Sequence, residues 1–164
     1  SDFETWHTED GMSRMRALSM SVLLTENTSH NGSLMLMPGS HRYFLGCIGE
    51  TPENHYKTSL KKQEFGVPDQ HNLERMVSEF GIVSPVAKPG SILIFDCNMM
   101  HGSNSNITPM PRSNAFFVYN ALSNQLVAPY GNKAPRPDFI TNRTPEPIHP
   151  KGGYLAHRSE LTFA

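Results

Sequence analysis

Cysteine is scarce in this 164-residue sequence: Cys47 and Cys97 are the only two, and they lie in unrelated contexts. Two thiols cannot make a disulfide framework, so both are read as reduced and the fold must rest on a packed core. An excess of one charge is lacking too. Fourteen Lys and Arg against fifteen Asp and Glu give a formal charge of -1, which supplies no cationic field to hold nucleic acid or anionic lipid. No apolar run approaches the roughly 18 residues of a membrane span, and the polar opening Ser1-Asp2-Phe3-Glu4 is no signal peptide. The expectation is a cytoplasmic protein without nucleic-acid or membrane partners. Only 18% of residues are charged, while 13 prolines make up about 8% of the chain against a typical 5%. That balance disfavours a helical bundle or coiled coil and favours a β-dominated, loop-rich domain.

Apolar residues alternate with small or polar ones at Leu18, Met20 and Val22 within Arg16-Leu24, the period of a half-buried strand with those three side chains inward. Asn27 to Gly32 supplies a turn, and Ser33 to Met37 a second strand that Pro38-Gly39-Ser40 stops. Residues 50–81 differ. Asn54 to Lys62 and Asn72 to Phe80 carry helix formers, with Leu73, Met76, Val77 and Phe80 at i, i+3, i+4 and i+7, so a helical insertion is predicted there. The apolar run Ile92 to Asp96 follows Lys88-Pro89-Gly90 and reads as a core strand, as does Ala115 to Tyr119. From 124 to 164 Pro135, Pro137, Pro145, Pro147 and Pro150 forbid long regular elements and imply a wrapping tail. Residues 1–164 are read as one domain.

Asp2, His101 and Arg112 stand beside these strands. A His and a carboxylate distant in sequence can converge on one metal when strands pass side by side, as in the 2-His-1-carboxylate iron(II) sites. An Arg eleven positions after the His, on the next strand, would grip a keto-acid carboxylate with its fork. On spacing alone a plainer reading stands beside this one: His101 as a loop residue bonded to backbone and Asp2 as a solvated carboxylate. His30, His41, His55, His71, His149 and His157 show no metal-ligand spacing and are read as solvated or hydrogen-bonded loop residues. Met35, Met37, Met99 and Met100 are read as core filler.

The segment Ser1-Asp2-Phe3-Glu4-Thr5-Trp6-His7-Thr8-Glu9-Asp10-Gly11-Met12 resembles the signature of the ectoine hydroxylases, iron(II)- and 2-oxoglutarate-dependent oxygenases of the phytanoyl-CoA dioxygenase-like group. The resemblance continues through Leu34 to His41, Gly49 to Glu53, Leu60 to Glu64, Phe95 to Asn98, His101 to Asn104, Pro111 to Asn114 and Pro135 to Phe139. It implies a mainly β fold, the double-stranded β-helix or cupin-like jelly roll with a helical insertion. Residues 1–164 would be its C-terminal portion, because the His of the family's His-x-Asp ligand pair would stand just before Ser1 and is absent from this sequence.

By matching position the resemblance implies Asp2 and His101 as iron ligands, and Arg112 and Ser103 as contacts of 2-oxoglutarate. Trp6, Phe95 and Phe116 would line the substrate site, with Asn114 and Arg136 as its polar contacts. Ectoine is a compact zwitterion, so aromatic faces for its amidinium and an Arg for its carboxylate are chemically apt. The implied cofactor is Fe(II), the co-substrates are 2-oxoglutarate and O2, and the reaction is hydroxylation of ectoine to 5-hydroxyectoine in the making of a stress-protective solute. A homodimer is implied by family analogy. The chain by itself, one imidazole short, is expected to be inactive, with His7 as a packing residue or a substitute ligand. Two alternatives remain: a related oxygenase for another small zwitterion, and a non-catalytic jelly-roll solute binder indifferent to chelators.

Overall fold

The computed structural model describes residues 2–58 and 63–152. Within them the chain is mainly β. In order the strands are β1 (Leu18–Leu23), β2 (Leu34–Leu36), β3 (Cys47–Ile48), β4 (Val67–Pro68), β5 (Ile92–Asp96), β6 (His101–Ser103) and β7 (Asn114–Tyr119), with helix α1 (Gln70–Phe80) between β4 and β5. β1 lies between β5 and β7 in an antiparallel sheet, β2 pairs antiparallel with β6, and β3 with β4.

The buried side of β1 is the opposite of the one its apolar residues predict. Ser19, Ser21 and Leu23 are buried at 8%, 1% and 3% exposure, whereas Leu18 is 43% exposed. The register explains this. Ser19 stands opposite Phe95 and Ser21 opposite Leu93 and Phe116, and directly paired residues share a face. Two small serines leave room for large neighbours, so Phe95 and Leu93 close with Leu34, Leu36 and Met99 into one apolar cluster. Met20 and Val22 share the other face with Ile92, Ile94 and Phe117, of which the last three are 58%, 56% and 46% exposed. Hence β5, read from its apolar run as a core strand, is buried at Phe95 only and not on both faces.

The Leu34, Leu36 and Phe95 contact stacks the β2–β6 ladder on the three-stranded sheet. Leu34 pairs with Ser103 and Leu36 with His101, so these two polar side chains share the inward face while Met35 and Gly102 take the other.

The predicted insertion is helical in its second half. α1 starts where the Asp69 side chain accepts from the Asn72 amide at 2.8 Å and ends at Gly81 with φ 66. Met76 alone on its apolar stripe is fully buried. The first half departs from expectation: among the described residues the helix predicted from Asn54 is a single 3-10 turn, His55–Lys57, entered from a left-handed Asn54 and ended at Thr58, whose φ -127 and ψ 11 leave the helical region. Residues 59–62, which belong to that prediction and to the Leu60 to Glu64 motif, lie outside the described residues, as do Ser1, His157 and the tail beyond 152. The tail from 124 onward passes over the chain's start, where the Val127 amide donates to the Gly11 carbonyl at 3.0 Å. Gly11 has φ +78, and a Cβ on it would meet the Val127 oxygen at 2.1 Å, so no other residue fits there.

A second cluster joins Met12, Ala17 and Cys97, with Trp6, Met15 and Leu126 against it. Burial pushes the Cys97 thiol up to about 11.

Leu36→Ala should destabilise the fold by about 2–5 kcal/mol, read as a lower urea midpoint at unchanged slope. Because the folded Cys97 pKa lies above its ordinary 9.0, the stability it contributes is complete below pH 9 and is lost as pH rises toward 11. Cys97→Ala should therefore flatten the alkaline limb of a stability-against-pH curve, and an unchanged limb would contradict that cause.

Candidate active site

The first helical turns carry the site and are held from two sides. Phe3–Glu9 is π-helical, preceded by Asp2. On one side Phe44, Phe3, His7 and Tyr130 form an aromatic column with centroid spacings of 5.1, 4.8 and 4.5 Å. On the other, Thr51 hydrogen-bonds the Glu4 carboxylate, His55 Nε2 lies 3.2 Å from the Thr5 hydroxyl, and His55 Nδ1 lies 3.7 Å from Glu9 Oε1. Burial pushes the Glu9 carboxyl up, against the opposing pull of His55 and Arg136. For Glu4, burial also raises the pKa but the Thr51 hydroxyl and amide outweigh it, so the carboxyl titrates below its ordinary value.

This support places Asp2 Oδ2 3.8 Å from His101 Nε2. His101 Nδ1 donates to the Met99 carbonyl at 2.7 Å, which turns Nε2 toward Asp2, so that the neutral ring would present its Nε2 lone pair there. One imidazole nitrogen and one carboxylate oxygen thus face a common space, a donor set that suits a divalent transition metal. Among the described residues no group of three His, Cys, Asp or Glu converges. His7, weighed as a substitute ligand, is otherwise engaged: its Nδ1 donates to the Met12 carbonyl at 2.7 Å and its ring lies inside the aromatic column.

Arg112 lies in the loop ahead of β7 and not on the strand as expected, because the ladder with β1 begins only at Asn114, opposite Leu23. Its Nη1 donates to the Gly32 carbonyl and to Ser103 Oγ, the latter at 3.2 Å. With its amide turned to satisfy both ends, Asn114 accepts from Arg112 Nη2 at 3.2 Å and donates to the Ser113 carbonyl. Arg112 Nε is buried without a partner among the described residues, and burial lowers the guanidinium pKa from its ordinary value. A partly desolvated cation with one orphan donor is a ready receptor for a carboxylate.

The aromatic candidates divide. Phe95 is 5% exposed, packed in the core with its ring 5.3 Å from that of His101. Phe116 is 51% exposed on the same sheet face. Trp6 packs on the Met12, Ala17 and Cys97 cluster, with the Arg136 guanidinium 4.5 Å over its ring. Arg136 is only partly free to donate: its Nε and Nη2 are committed to Asp10, a motif residue to which the resemblance assigns no role. His55 is a hydrogen-bonded residue, as expected, and its partner is the Thr5 hydroxyl. The available signal for Asp10 was the following Gly11, whose missing side chain marks a close crossing of two chain segments.

The model of the phytanoyl-CoA dioxygenase (PhyH) family matches residues 1–114. The chain belongs to this family. The ectoine dioxygenase of Sphingopyxis alaskensis is 65% identical over 143 residues, 87% of this chain and 47% of that protein. The ectoine dioxygenase of Halomonas elongata is 53% identical over 152 residues, 93% of this chain and 46% of that protein. The crystal structure of EctD from S. alaskensis with 2-oxoglutarate and 5-hydroxyectoine superposes with a TM-score of 0.73 at 56% identity, covering 90% of this chain and 46% of that one. The same enzyme with bound Fe gives 0.76 at 50% identity, covering 95% and 49%. This member of the family therefore spans about half the length of the relatives it matches. No helix among its described residues is long and apolar enough to cross a membrane.

At alkaline pH, nitrogen-correlated NMR of the His101 ring should show the proton on Nδ1. A proton on Nε2 would contradict the Met99 bond and the metal-facing orientation.

Proposed function

We propose that this chain contributes the C-terminal portion of a double-stranded β-helix site that hydroxylates ectoine to 5-hydroxyectoine, with Fe(II) as cofactor and 2-oxoglutarate and O2 as co-substrates. The observation that carries the reading is the convergence of Asp2 and His101 near an Arg112 whose buried Nε–H has no partner among the described residues. Its support from likeness is the 65% identity to a curated ectoine dioxygenase. Overall, ectoine, 2-oxoglutarate and O2 give 5-hydroxyectoine, succinate and CO2. Bound iron supplies the oxygen activation that couples decarboxylation of the keto acid to hydroxylation.

The remaining work belongs to the protein. Asp2 and His101 hold the metal, with a third ligand from outside the described residues. Met99 holds the His101 ring in its ligating tautomer. Arg112, braced by Ser103, Asn114 and the Gly32 carbonyl, receives the far carboxylate of 2-oxoglutarate, and its orphan Nε–H gains an acceptor. Trp6 and Phe116 offer aromatic faces to the amidinium ring of ectoine, and Arg136 offers a donor to its carboxylate. Phe95 backs the site from the core. The setting is a cytoplasmic, stress-protective solute pathway, and the assembly a homodimer.

The direct test is succinate release by the full-length polypeptide that contains this chain, loaded with Fe(II) and given 2-oxoglutarate, O2 and ectoine. Ectoine-dependent turnover is expected, and none from a metal-loaded protein would overturn the reading. In the same assay Arg112→Met should raise the KM for 2-oxoglutarate by at least about tenfold, the scale of one charge-assisted bond. The KM for ectoine should change little.

A further inference from the structure

Asp10 is the deepest carboxylate of the fold described here, with 0% side-chain exposure. Its two oxygens accept from Arg136 Nε at 3.1 Å each, Oδ2 accepts from Arg136 Nη2 at 2.5 Å and from the Thr141 hydroxyl at 3.1 Å, and its carbonyl accepts from Arg143 Nη1 at 3.1 Å. Arg136 is itself only 10% exposed. Two of its three nitrogens are committed to Asp10, and among the described residues Nη1 makes no hydrogen bond. The guanidinium plane is held over Trp6.

A burial this complete is costly for an ion pair unless every lone pair is used, and here the donors of Arg136 and Thr141 use them. The arrangement does two things at once. It leaves the Nη1 donor group outside the ion pair, with the guanidinium over Trp6, and it offsets the positive charge of a largely buried Arg. A bare buried Arg favours any anion. An Arg neutralised by Asp10 still donates to a carboxylate but gains little from a ligand of net negative charge, which must give up its hydration.

We propose that Asp10 is a positioning and specificity-determining residue: it fixes Arg136 over Trp6 and neutralises it, so that this subsite selects a net-neutral zwitterionic ring over a simple carboxylate anion. The inference rests on the proposed function and adds the residue that sets the charge preference of its substrate site.

The test uses the full-length protein and its Asp10→Asn variant, with ectoine as the zwitterion and pyrrolidone carboxylate as the ring-bearing anion. The variant is expected to raise the KM for ectoine about tenfold while kcat stays within about threefold and the KM for 2-oxoglutarate holds. Competitive inhibition by pyrrolidone carboxylate should strengthen, because Arg136 is left uncompensated. Independently of turnover, the emission of Trp6, obtained as the difference from a Trp6→Phe partner, should shift in Asp10→Asn protein without metal or substrate. Unchanged preference between the two ligands with an unshifted Trp6 signal overturns the proposal, and so does a parallel fall of kcat with no change in preference. Wild-type protein inert toward ectoine would instead defeat the reading of the site, whereas the Trp6 shift still reports whether Asp10 holds Arg136. If Asp10→Asn does not fold, Thr141→Val removes one donor from the same carboxylate. A roughly threefold rise in the ectoine KM with a smaller Trp6 shift supports the role, and neither change overturns it.

Discussion

The contact of Leu34 and Leu36 with Phe95 is the constraint on which the other arrangements depend. It fixes the short β2–β6 ladder on the three-stranded sheet, and the strand period then turns His101 and Ser103 inward from the same ladder. From that point the polar residues have few choices. His101 reaches back to Met99 and forward to Asp2, while Ser103 braces Arg112. A three-residue apolar contact thus decides where His101, Asp2 and Arg112 stand relative to one another, although none of Leu34, Leu36 and Phe95 carries a polar side chain.

Two other devices hold the opening segment, which carries Asp2 and Trp6, against that framework. The aromatic column from Phe44 to Tyr130 and the His55 contacts grip its flanks. The tail closes over Gly11 and locks onto Asp10 through Arg136, Thr141 and Arg143. Segments more than a hundred residues apart are therefore joined by one buried carboxylate. The Pro-rich tail has little regular structure of its own, and its order comes from these side-chain bonds.

The outward face of the three-stranded sheet shows the limits of pattern reading. Alternation at Leu18, Met20 and Val22 correctly marks a strand, yet the serines between them are the buried side chains. Periodicity reports that two faces differ. Which face meets the core depends on what packs there, and the volume freed by Ser19 and Ser21 admits Phe95 and its leucine partners. The same holds after Asn54, where composition favours a helix and the described residues form one turn that Thr58 ends.

Much of this protein was readable from its residues: the β-rich class, strands β1, β2, β5 and β7, helix α1, and the family that the opening motif and the His101, Arg112 and Arg136 segments resemble. Local chemistry is enough for these, because strand period, capping at Asp69 and motif identity are properties of neighbouring residues. Tertiary structure alone decided the buried face of β1, the tautomer of His101, the orphan Nε–H of Arg112 and the engagement of Arg136 by Asp10. Each of these depends on a partner brought from a distant segment, and a sequence read along its length holds no record of which polar groups will be desolvated together.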